Sequence, residues 1–476
     1  MIKRILILSE IILVGLACTI SISCGKHASD DNKLILTEAP GNVNPPDYSG
    51  GASWRNLPGA RISSIDLKRS GSQKTLTGDF YSACFPEISY DGKFMLFTGQ
   101  HNESDPWQIW EMNLKTLKYR QVTSGTEDCA DPVYLPGERI VFSRLTVNDT
   151  VKSARCLYTC NADGSDLTQI TFSPDDNLAT TVLKDGRLLT VRHRLLPDQG
   201  GPMLAVMRPD GTKAEKFYSG PGNNIHLNRA HETDDGTVIF AESYGESPAR
   251  YRLVSILYNR PLHSRTDLTS SVPGDFYNVL PLRPDKYLVS YRKSDSDRFA
   301  LYEFNPEKGS LGPEVFIEND YHILDIVSVK PHERPKKLPS EVDVQVKTGL
   351  LLCQDINFKD PFLPENSSLM KKALKIEVLG VDTTYGVVDV ENDGSFQLKV
   401  MADKPFRIRT LDKDGNVVGG PGSWLWLRPN ERRGCIGCHE NPELAPENIV
   451  SLAVKKSPVI IPVHITDVKE KIVELE

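Results

Sequence analysis

The sequence lacks any basic stripe, and its 476 residues carry a formal net charge of −7. Nucleic acids and anionic membrane surfaces both bind basic protein faces. We therefore expect no nucleic acid among the partners of this protein. Beyond its first 24 residues the chain also lacks an apolar run of the length that a membrane-spanning helix needs.

Segments with helical periodicity are scarce as well. Glycine and proline are plentiful instead, at 34 and 32 residues, and both are typical of turns between short strands. The apolar fraction of 39% is that of an ordinary globular protein. The sequence therefore predicts an all-β protein that is long enough for more than one domain.

The amino terminus has the order of a secretory signal. Basic residues at 3–4 precede an apolar stretch over 5–16, which only Glu10 interrupts. Small residues then lead to Cys24, as in a lipoprotein signal that ends at the cysteine to be acylated. Cys18 is a competing cleavage point, and a plain signal anchor is the other interpretation.

Acylation at Cys24 defines the expected location of the protein. Residues 1–24 are then a lipoprotein signal peptide, and residues 25–58, rich in polar residues, Gly and Pro, are a flexible tether. Several acyl chains hold a protein to a membrane more firmly than one. We expect an extracytoplasmic, membrane-anchored lipoprotein in the periplasm or at the cell surface.

Four similar tetrads recur along the middle of the chain. Their closing threonines are 46, 48 and 98 residues apart, and the last interval is two periods of 49. Turn signals such as Asp-Gly precede short apolar runs in phase with the tetrads. The tetrads are KTLT at 74–77, RQVT at 120–123, TQIT at 168–171 and TDLT at 266–269.

A repeat of about 45 residues with four short strands is typical of a propeller blade. The segments PEISYDGKFMLFTG and DPVYLPGERIVFSR resemble repeats of the TolB type. This resemblance implies a TolB-like β-propeller over residues 59–335. We expect six blades, with seven as the alternative. The first and last pieces of the repeat region would share one blade, which leaves no exposed sheet edge.

A second domain is predicted after the propeller. Residues 336–344 form a connector, and alternating strands over residues 345–430 then predict a small β-sandwich. Residues 431–476 contain a Cys-x-x-Cys-His motif and a carboxyl-terminal tail.

The motif consists of Cys435, Cys438 and His439. Two thiols at this spacing can add to the vinyl groups of one haem, and the adjacent imidazole can ligate the iron. A structural disulfide with an incidental histidine and a zinc site are the alternatives. No second Cys-x-x-Cys is present to complete a zinc ribbon. We expect one covalent haem c, with His439 as a metal ligand.

The sequence does not identify the sixth ligand of the iron. No methionine follows His439, so the usual arrangement of a small cytochrome c does not apply. Met401, His464, a propeller residue or no protein ligand at all remain alternatives. An open iron position favours small-molecule chemistry, and two strong ligands favour electron transfer.

The order of propeller, connector, sandwich and motif resembles the hydrazine synthase alpha-subunit family. Residues 345–445 are similar to that family's middle domain, and residues 424–439 are the most specific part. The resemblance implies an extracytoplasmic haem protein with its haem between sandwich and propeller. Hydrazine-forming members can ligate this iron through a tyrosine after the motif. This chain has no tyrosine after His439, so hydrazine synthesis itself is not predicted.

Two functions are consistent with these features. The first is a c-type cytochrome that acts in electron transfer, or in redox chemistry on a small nitrogen compound, with a redox partner or partner subunits. The second is a lipid-tethered propeller that binds a partner without redox activity, since a fold alone does not decide a function.

The remaining cysteines allow several interpretations. Cys84 and Cys129 occupy matching positions in neighbouring blades and could form a disulfide, hold a metal or stay unpaired. Cys156 and Cys160 are four residues apart on one strand, on the same face but too far apart to bond. Cys353 lies in an apolar run and is expected in the core.

Overall fold

The computed structural model describes residues 32–43, 57–69, 71–197, 201–220, 228–244, 250–358, 372–437 and 449–462. Over these ranges the protein is built from 32 strands and one short 3-10 helix, Leu452–Lys455. The prediction of an all-β protein is confirmed. Within the same ranges, no helix has the length and apolar character that crossing a membrane would require.

The propeller consists of six four-stranded antiparallel sheets among the described residues. We number them blades I to VI. Blade I is formed by β1 (Lys33–Ala39), β2 (Arg61–Asp66), β3 (Lys74–Thr75) and β24 (His322–Ser328). Blade II contains β4 (Ser82–Ile88), β5 (Phe94–Gln100), β6 (Gln108–Asn113) and β7 (Tyr119–Gln121); blade III contains β8 (Cys129–Leu135), β9 (Arg139–Asn148), β10 (Lys152–Asn161) and β11 (Thr168–Gln169). Blade IV contains β12 (Asp175–Val182), β13 (Leu188–Arg194), β14 (Met203–Met207) and β15 (Glu215–Tyr218); blade V contains β16 (His231–Glu232), β17 (Thr237–Tyr244), β18 (Arg250–Leu257) and β19 (Thr266–Asp267); blade VI contains β20 (Asp275–Arg283), β21 (Lys286–Arg292), β22 (Ala300–Asn305) and β23 (Ser310–Phe316).

Blade I closes the ring with strands from both ends of the propeller region. Strand β24 pairs with β1, and β1 pairs with β2, both antiparallel. Six blades, the favoured number, are therefore present. The tether prediction is wrong for Lys33–Ala39, because this segment is strand β1 and its apolar side chains are fully buried. The burial of these side chains between β24 and β2 fixes the segment in the sheet.

The repeated threonine has the same role in four blades. Its hydroxyl accepts a hydrogen bond from a backbone N–H near the third strand of its own blade, which would otherwise be buried without a partner. The pairs are Ile62 N to Thr77 Oγ1 at 2.9 Å, Ile109 N to Thr123 Oγ1 at 2.8 Å, Leu157 N to Thr171 Oγ1 at 2.9 Å and Leu253 N to Thr269 Oγ1 at 3.1 Å. The sequence repeat thus reflects a repeated hydrogen bond.

Replacing Thr171 by valine is expected to lower the free energy of unfolding by about 1–3 kcal/mol, because the Leu157 N–H loses its acceptor in a buried position. Thr168→Val, in the same tetrad but exposed, is the matched control and should change little. Urea unfolding followed by tryptophan fluorescence measures both. Equal effects of the two variants would contradict this role of the hydroxyl.

The second domain is a sandwich of two four-stranded sheets, as predicted. One sheet has the order β31-β25-β28-β32, and the other has the order β27-β26-β29-β30. Their strands are β25 (Thr348–Cys353), β26 (Lys375–Leu379), β27 (Thr384–Asp389), β28 (Phe396–Met401), β29 (Arg407–Leu411), β30 (Val417–Gly419), β31 (Arg432–Cys435) and β32 (Val459–Ile461). The core between the sheets contains Leu351, Ile376, Val378 and Leu398.

Two details of the sandwich differ from the prediction. Strands β31 and β32 lie beyond residue 430, and each pairs parallel to a neighbour, β31 with β25 and β32 with β28. The sandwich therefore includes part of the segment that was assigned to the motif and the tail. Residues 424–426, which lie within the range of predicted strands, make only one isolated bridge, between Leu425 and Phe406.

The segment from β24 to the sandwich, which includes the connector, is fixed along the propeller. His332 N donates to the Tyr90 carbonyl of blade II at 3.0 Å, and Lys336 N donates to the Lys184 carbonyl of blade IV at 3.1 Å. Glu341 N then donates to an Asp210 carboxylate oxygen at 2.7 Å. These contacts, spread over two blades, carry the chain from blade I to the sandwich.

Candidate functional site

Strand β31 ends at Cys435, the first residue of the motif. Among the strands that the structure describes, it lies at the edge of its sheet and pairs with the parallel strand β25. Gln354 N donates to the Cys435 carbonyl at 2.9 Å, and Asp355 N donates to the Ile436 carbonyl at 3.0 Å. The sheet therefore holds the backbone of the first motif cysteine in a defined place. Cys438 and His439 lie outside the described residues, as do Cys18, Cys24 and His464.

Cys435 differs from the other described cysteines in its exposure. It is partly exposed, whereas Cys84, Cys129, Cys156, Cys160 and Cys353 are buried. Burial raises the pKa of the Cys129 and Cys156 thiols to about 12 and that of Cys160 to about 11. Because the thiolate is the reactive form, these propeller thiols are poor nucleophiles.

The structure also bears on the predicted cysteine pairs. Among the described residues, Cys84 and Cys129 are not joined by a disulfide. No group of three or more His, Cys, Asp or Glu side chains suited to a metal occurs in the described ranges. Cys156 and Cys160 both lie on β10, about 13 Å apart at the usual strand rise, so they cannot bond to each other.

Gly437 allows a close approach of the motif to the chain that follows β25. A Cβ atom at this position would lie 3.0 Å from the Phe358 Cβ atom and 3.1 Å from the Asp355 carbonyl oxygen. Real Cβ atoms rarely have such close neighbours, so a side chain would push the motif away from residues 355–358. A covalent haem attachment needs an accessible thiol. Cys435 is partly exposed at the end of its strand, and Gly437 lets the motif turn closely past residues 355–358.

Met401 lies far along the sandwich sheet from Cys435. It pairs with Thr348 at the start of β25, whereas Cys435 pairs with Cys353 at its end. Five residues of strand separate the two positions, about 16 Å at the usual rise per residue. Of the ligands considered from the sequence, Met401 is therefore disfavoured by its distance, and the sixth ligand stays a prediction.

Glu431 anchors the start of β31. Its side chain is 1% exposed and accepts hydrogen bonds from three partners. Lys213 N of the propeller and Arg428 N each donate at 2.8 Å, and the Arg433 guanidinium donates at 2.7 Å. The Arg433 guanidinium also donates to the Ala214 carbonyl of the propeller at 3.1 Å. A buried carboxylate with this many donors is well satisfied, so it fixes the motif strand against blade IV.

Two tryptophans dock the sandwich on the propeller. Trp426 is fully buried in the apolar cluster between blades III and IV, with Leu157, Leu188 and Met207. Trp424 donates from Nε1 to the Leu196 carbonyl at 2.8 Å. Packing against the propeller therefore explains both tryptophans.

Arg192 and the hairpin of blade III complete this interface. The Arg192 guanidinium donates to the Trp424 carbonyl at 2.6 Å and lies 5.1 Å from the centre of the Trp426 ring. The tip of the β9–β10 hairpin reaches the sandwich, where Lys404 Nζ donates to Thr150 Oγ1 at 3.2 Å. The roles of Arg192, Glu431 and Arg433 were not predicted from the sequence. The only local signal was the charged run NERR directly before the motif.

Asp403 has a perturbed pKa at the same interface. Burial raises the pKa of its carboxyl group to about 6, although the Arg428 guanidinium, 3.4 Å away, opposes this shift. Burial also lowers the pKa of Arg428. Between about pH 4 and pH 6 the folded state therefore binds a proton that the unfolded state has released.

The stability contributed by protonated Asp403 is fully present below its unfolded pKa and is lost as the pH rises through 6. We expect Asp403→Asn to remove a decline of about 2 kcal/mol in the free energy of unfolding between pH 4 and pH 7. Asp414→Asn, in an exposed turn of the same domain, is the control. Urea unfolding at several pH values measures the difference. Parallel pH profiles of Asp403→Asn and the unsubstituted protein would refute the assignment.

The segment that contains this site has a recognisable family signature. Residues 335–440 match the family model of the hydrazine synthase alpha subunit middle domain. The match begins in the connector, covers the described sandwich strands up to β31, and includes all three motif residues. The predicted resemblance to this family is confirmed.

Comparisons over the longer chain agree with this match. Hydrazine synthase subunit alpha of Kuenenia stuttgartiensis is 22% identical over 536 aligned residues, which cover 86% of this chain and 66% of the relative. The solved structure of Kuenenia stuttgartiensis hydrazine synthase is 21% identical with a TM-score of 0.75, covering 89% of this chain and 71% of that one. The chain thus shares its fold with that structure and spans just under two thirds of the curated relative.

A third similarity concerns the propeller type. The structure of TolB from Acinetobacter baumannii is 15% identical with a TM-score of 0.43, covering 62% of this chain and 66% of that one. The six blades themselves are established by the sheets described above.

Proposed function

We propose that this protein is an extracytoplasmic, lipid-anchored c-type haem protein related to the hydrazine synthase alpha subunit. One haem would be attached through Cys435 and Cys438, and His439 would ligate its iron. The observation that carries the proposal is the placement of Cys435. It is the one partly exposed cysteine among those that the structure describes, and it opens a Cys-x-x-Cys-His sequence at a strand end.

The described residues would perform three tasks at this site. Strand β25 and the Glu431 hydrogen bonds hold the first thiol in place. Gly437 lets the motif turn closely over residues 355–358. The Arg433 contact with Ala214 sets the motif strand beside blade IV, so the haem would lie near the boundary of sandwich and propeller.

A haem c at this place would supply one-electron redox chemistry at its iron. We propose that the protein passes electrons or acts on a small nitrogen compound. The relative is by name a subunit of hydrazine synthase, and we propose that this chain also works with a redox partner or partner subunits. Hydrazine synthesis is not part of the proposal, because residues 440–476 contain no tyrosine that could ligate the iron.

The proposal is tested by producing the protein together with cytochrome c maturation machinery. Haem staining after denaturing electrophoresis should reveal a band at the mass of the chain, and Cys156→Ser should stain equally. Addition of nitric oxide should change the absorption spectrum if one iron position is open, and leave it unchanged if the site serves electron transfer alone. A chain that stays colourless would leave the tethered propeller as a binding module without redox activity.

Membrane attachment through Cys24 has its own test. Cys24→Ser should abolish acylation and release the protein from the membrane fraction, because no acyl chain is then attached. Cys18→Ser, six residues earlier, is the matched control and should remain acylated. Release by Cys18→Ser instead would move the acylation site to Cys18, and retention of both variants would point to a signal anchor.

A further inference from the structure

Cys353 lies directly beside Cys435 across two paired strands. The two cysteines are register partners in the parallel pair of β25 and β31. Register partners on parallel strands point to the same side of the sheet. Both cysteines face the apolar core of the sandwich, Cys353 at 2% exposure and Cys435 packed against the same cluster. No other two described cysteines are register partners.

This arrangement is compatible with a disulfide. Adjacent strands lie about 4.8 Å apart, within the range of Cα separations of about 4.4–6.8 Å that disulfides span. The same thiol of Cys435 is one of the two that the proposed haem attachment requires.

We propose that Cys353 is a thiol-exchange partner of Cys435 in the haem-free protein. Its disulfide with Cys435 protects the motif thiol and has to be reduced before haem attaches. The pairing itself depends only on the sheet register, and its consequence for haem attachment rests on the proposed function.

The Cys353–Cys435 disulfide would be formed by an oxidising protein and reduced by a second, reducing protein. A protein disulfide of the extracytoplasmic compartment accepts two electrons and two protons from the Cys353 and Cys435 thiols and becomes a dithiol. A reducing protein dithiol reverses this step by exchange through a mixed disulfide. Each motif thiol then adds across a haem vinyl group without net redox change: its sulfur bonds to one vinyl carbon and its proton goes to the other.

The first experiment maps disulfides in the full chain produced without haem. The protein is exposed to glutathione disulfide, alkylated, digested with trypsin without reduction and analysed by mass spectrometry. We expect residues 348–359, which hold Cys353, linked to residues 434–455, and fragment ions that place the bond at Cys435 and not at Cys438, which the same peptide holds. Cys156→Ser should retain this species. Cys353 found alkylated, with Cys435 alkylated or linked only to Cys438, would overturn the proposal.

The second experiment measures haem attachment in cells that lack the reducing dithiol of the maturation pathway. There Cys353→Ala should carry several-fold more haem per chain than the unsubstituted protein, whereas the two should be equal in complete cells. Equal haem content of Cys353→Ala and the unsubstituted protein in both kinds of cell would overturn the proposal that the disulfide delays haem attachment. If neither protein takes up haem in complete cells, the proposed function fails, and the peptide map alone still decides the pairing without any variant.

Discussion

Replacing Cys435 and Cys438 together by serine is expected to abolish covalent haem attachment. A serine hydroxyl does not form the thioether that holds haem c, so any haem left in the site would be extractable by acidified acetone. Each single variant can form at most one thioether. The measurement is the pyridine haemochrome spectrum of purified protein before and after acid extraction.

The controls separate loss of attachment from loss of folding. Cys160→Ser changes a buried thiol in blade III, far along the chain from the motif, and should keep the haem. His439→Ala should retain the thioethers but change the spectrum of the iron. A double serine variant with an unchanged, unextractable haem would contradict the role assigned to these cysteines.

Trp426→Ala is expected to have the largest effect on stability. The side chain is fully buried and fills space between blades III and IV, although Trp426 belongs to the sandwich domain. Removing such an aromatic side chain costs about 3–5 kcal/mol through lost burial and the cavity that remains. The same change removes the main apolar contact through which the sandwich segment enters the propeller core.

Trp426→Phe separates packing from hydrogen bonding. Trp426 Nε1 has no hydrogen-bond partner in the part of the chain that the structure describes, so the smaller ring loses volume alone. We expect a cost of about 1–2 kcal/mol for Phe, measured by urea unfolding. Limited proteolysis should cut the connector faster in Trp426→Ala than in Trp426→Phe. Equal stability of Trp426→Ala and the unsubstituted protein would contradict the docking role.

The sequence predicted the blades because their signals are local. Each repeated threonine binds a backbone N–H of its own blade that lies 14 to 16 residues earlier in the chain. Strand β1 was missed because its partners, β2 and β24, lie about 30 and 290 residues further along the chain. A short apolar run in a polar segment does not reveal such pairing.

The candidate site was predictable only in part, because some of its residues have partners that lie far away in the sequence. The spacing of the motif cysteines and the histidine is visible in the sequence, and it identifies a class of chemistry. The partners that position it are not: Glu431 binds Lys213, and Cys353 meets Cys435 only after the strands pair in parallel. The sandwich boundary was misplaced because β31 continues a sheet whose first strand begins more than 80 residues earlier.

The central claim is a covalent bond between this chain and one haem, and the mass of a single peptide tests it most directly. Trypsin cuts after Arg433 and Lys455, so the motif lies in the peptide of residues 434–455. From protein made with maturation machinery, this peptide should carry the added mass of one haem, with both cysteines inaccessible to alkylation after reduction. The same peptide at its unmodified mass, with both cysteines alkylated, would contradict the account.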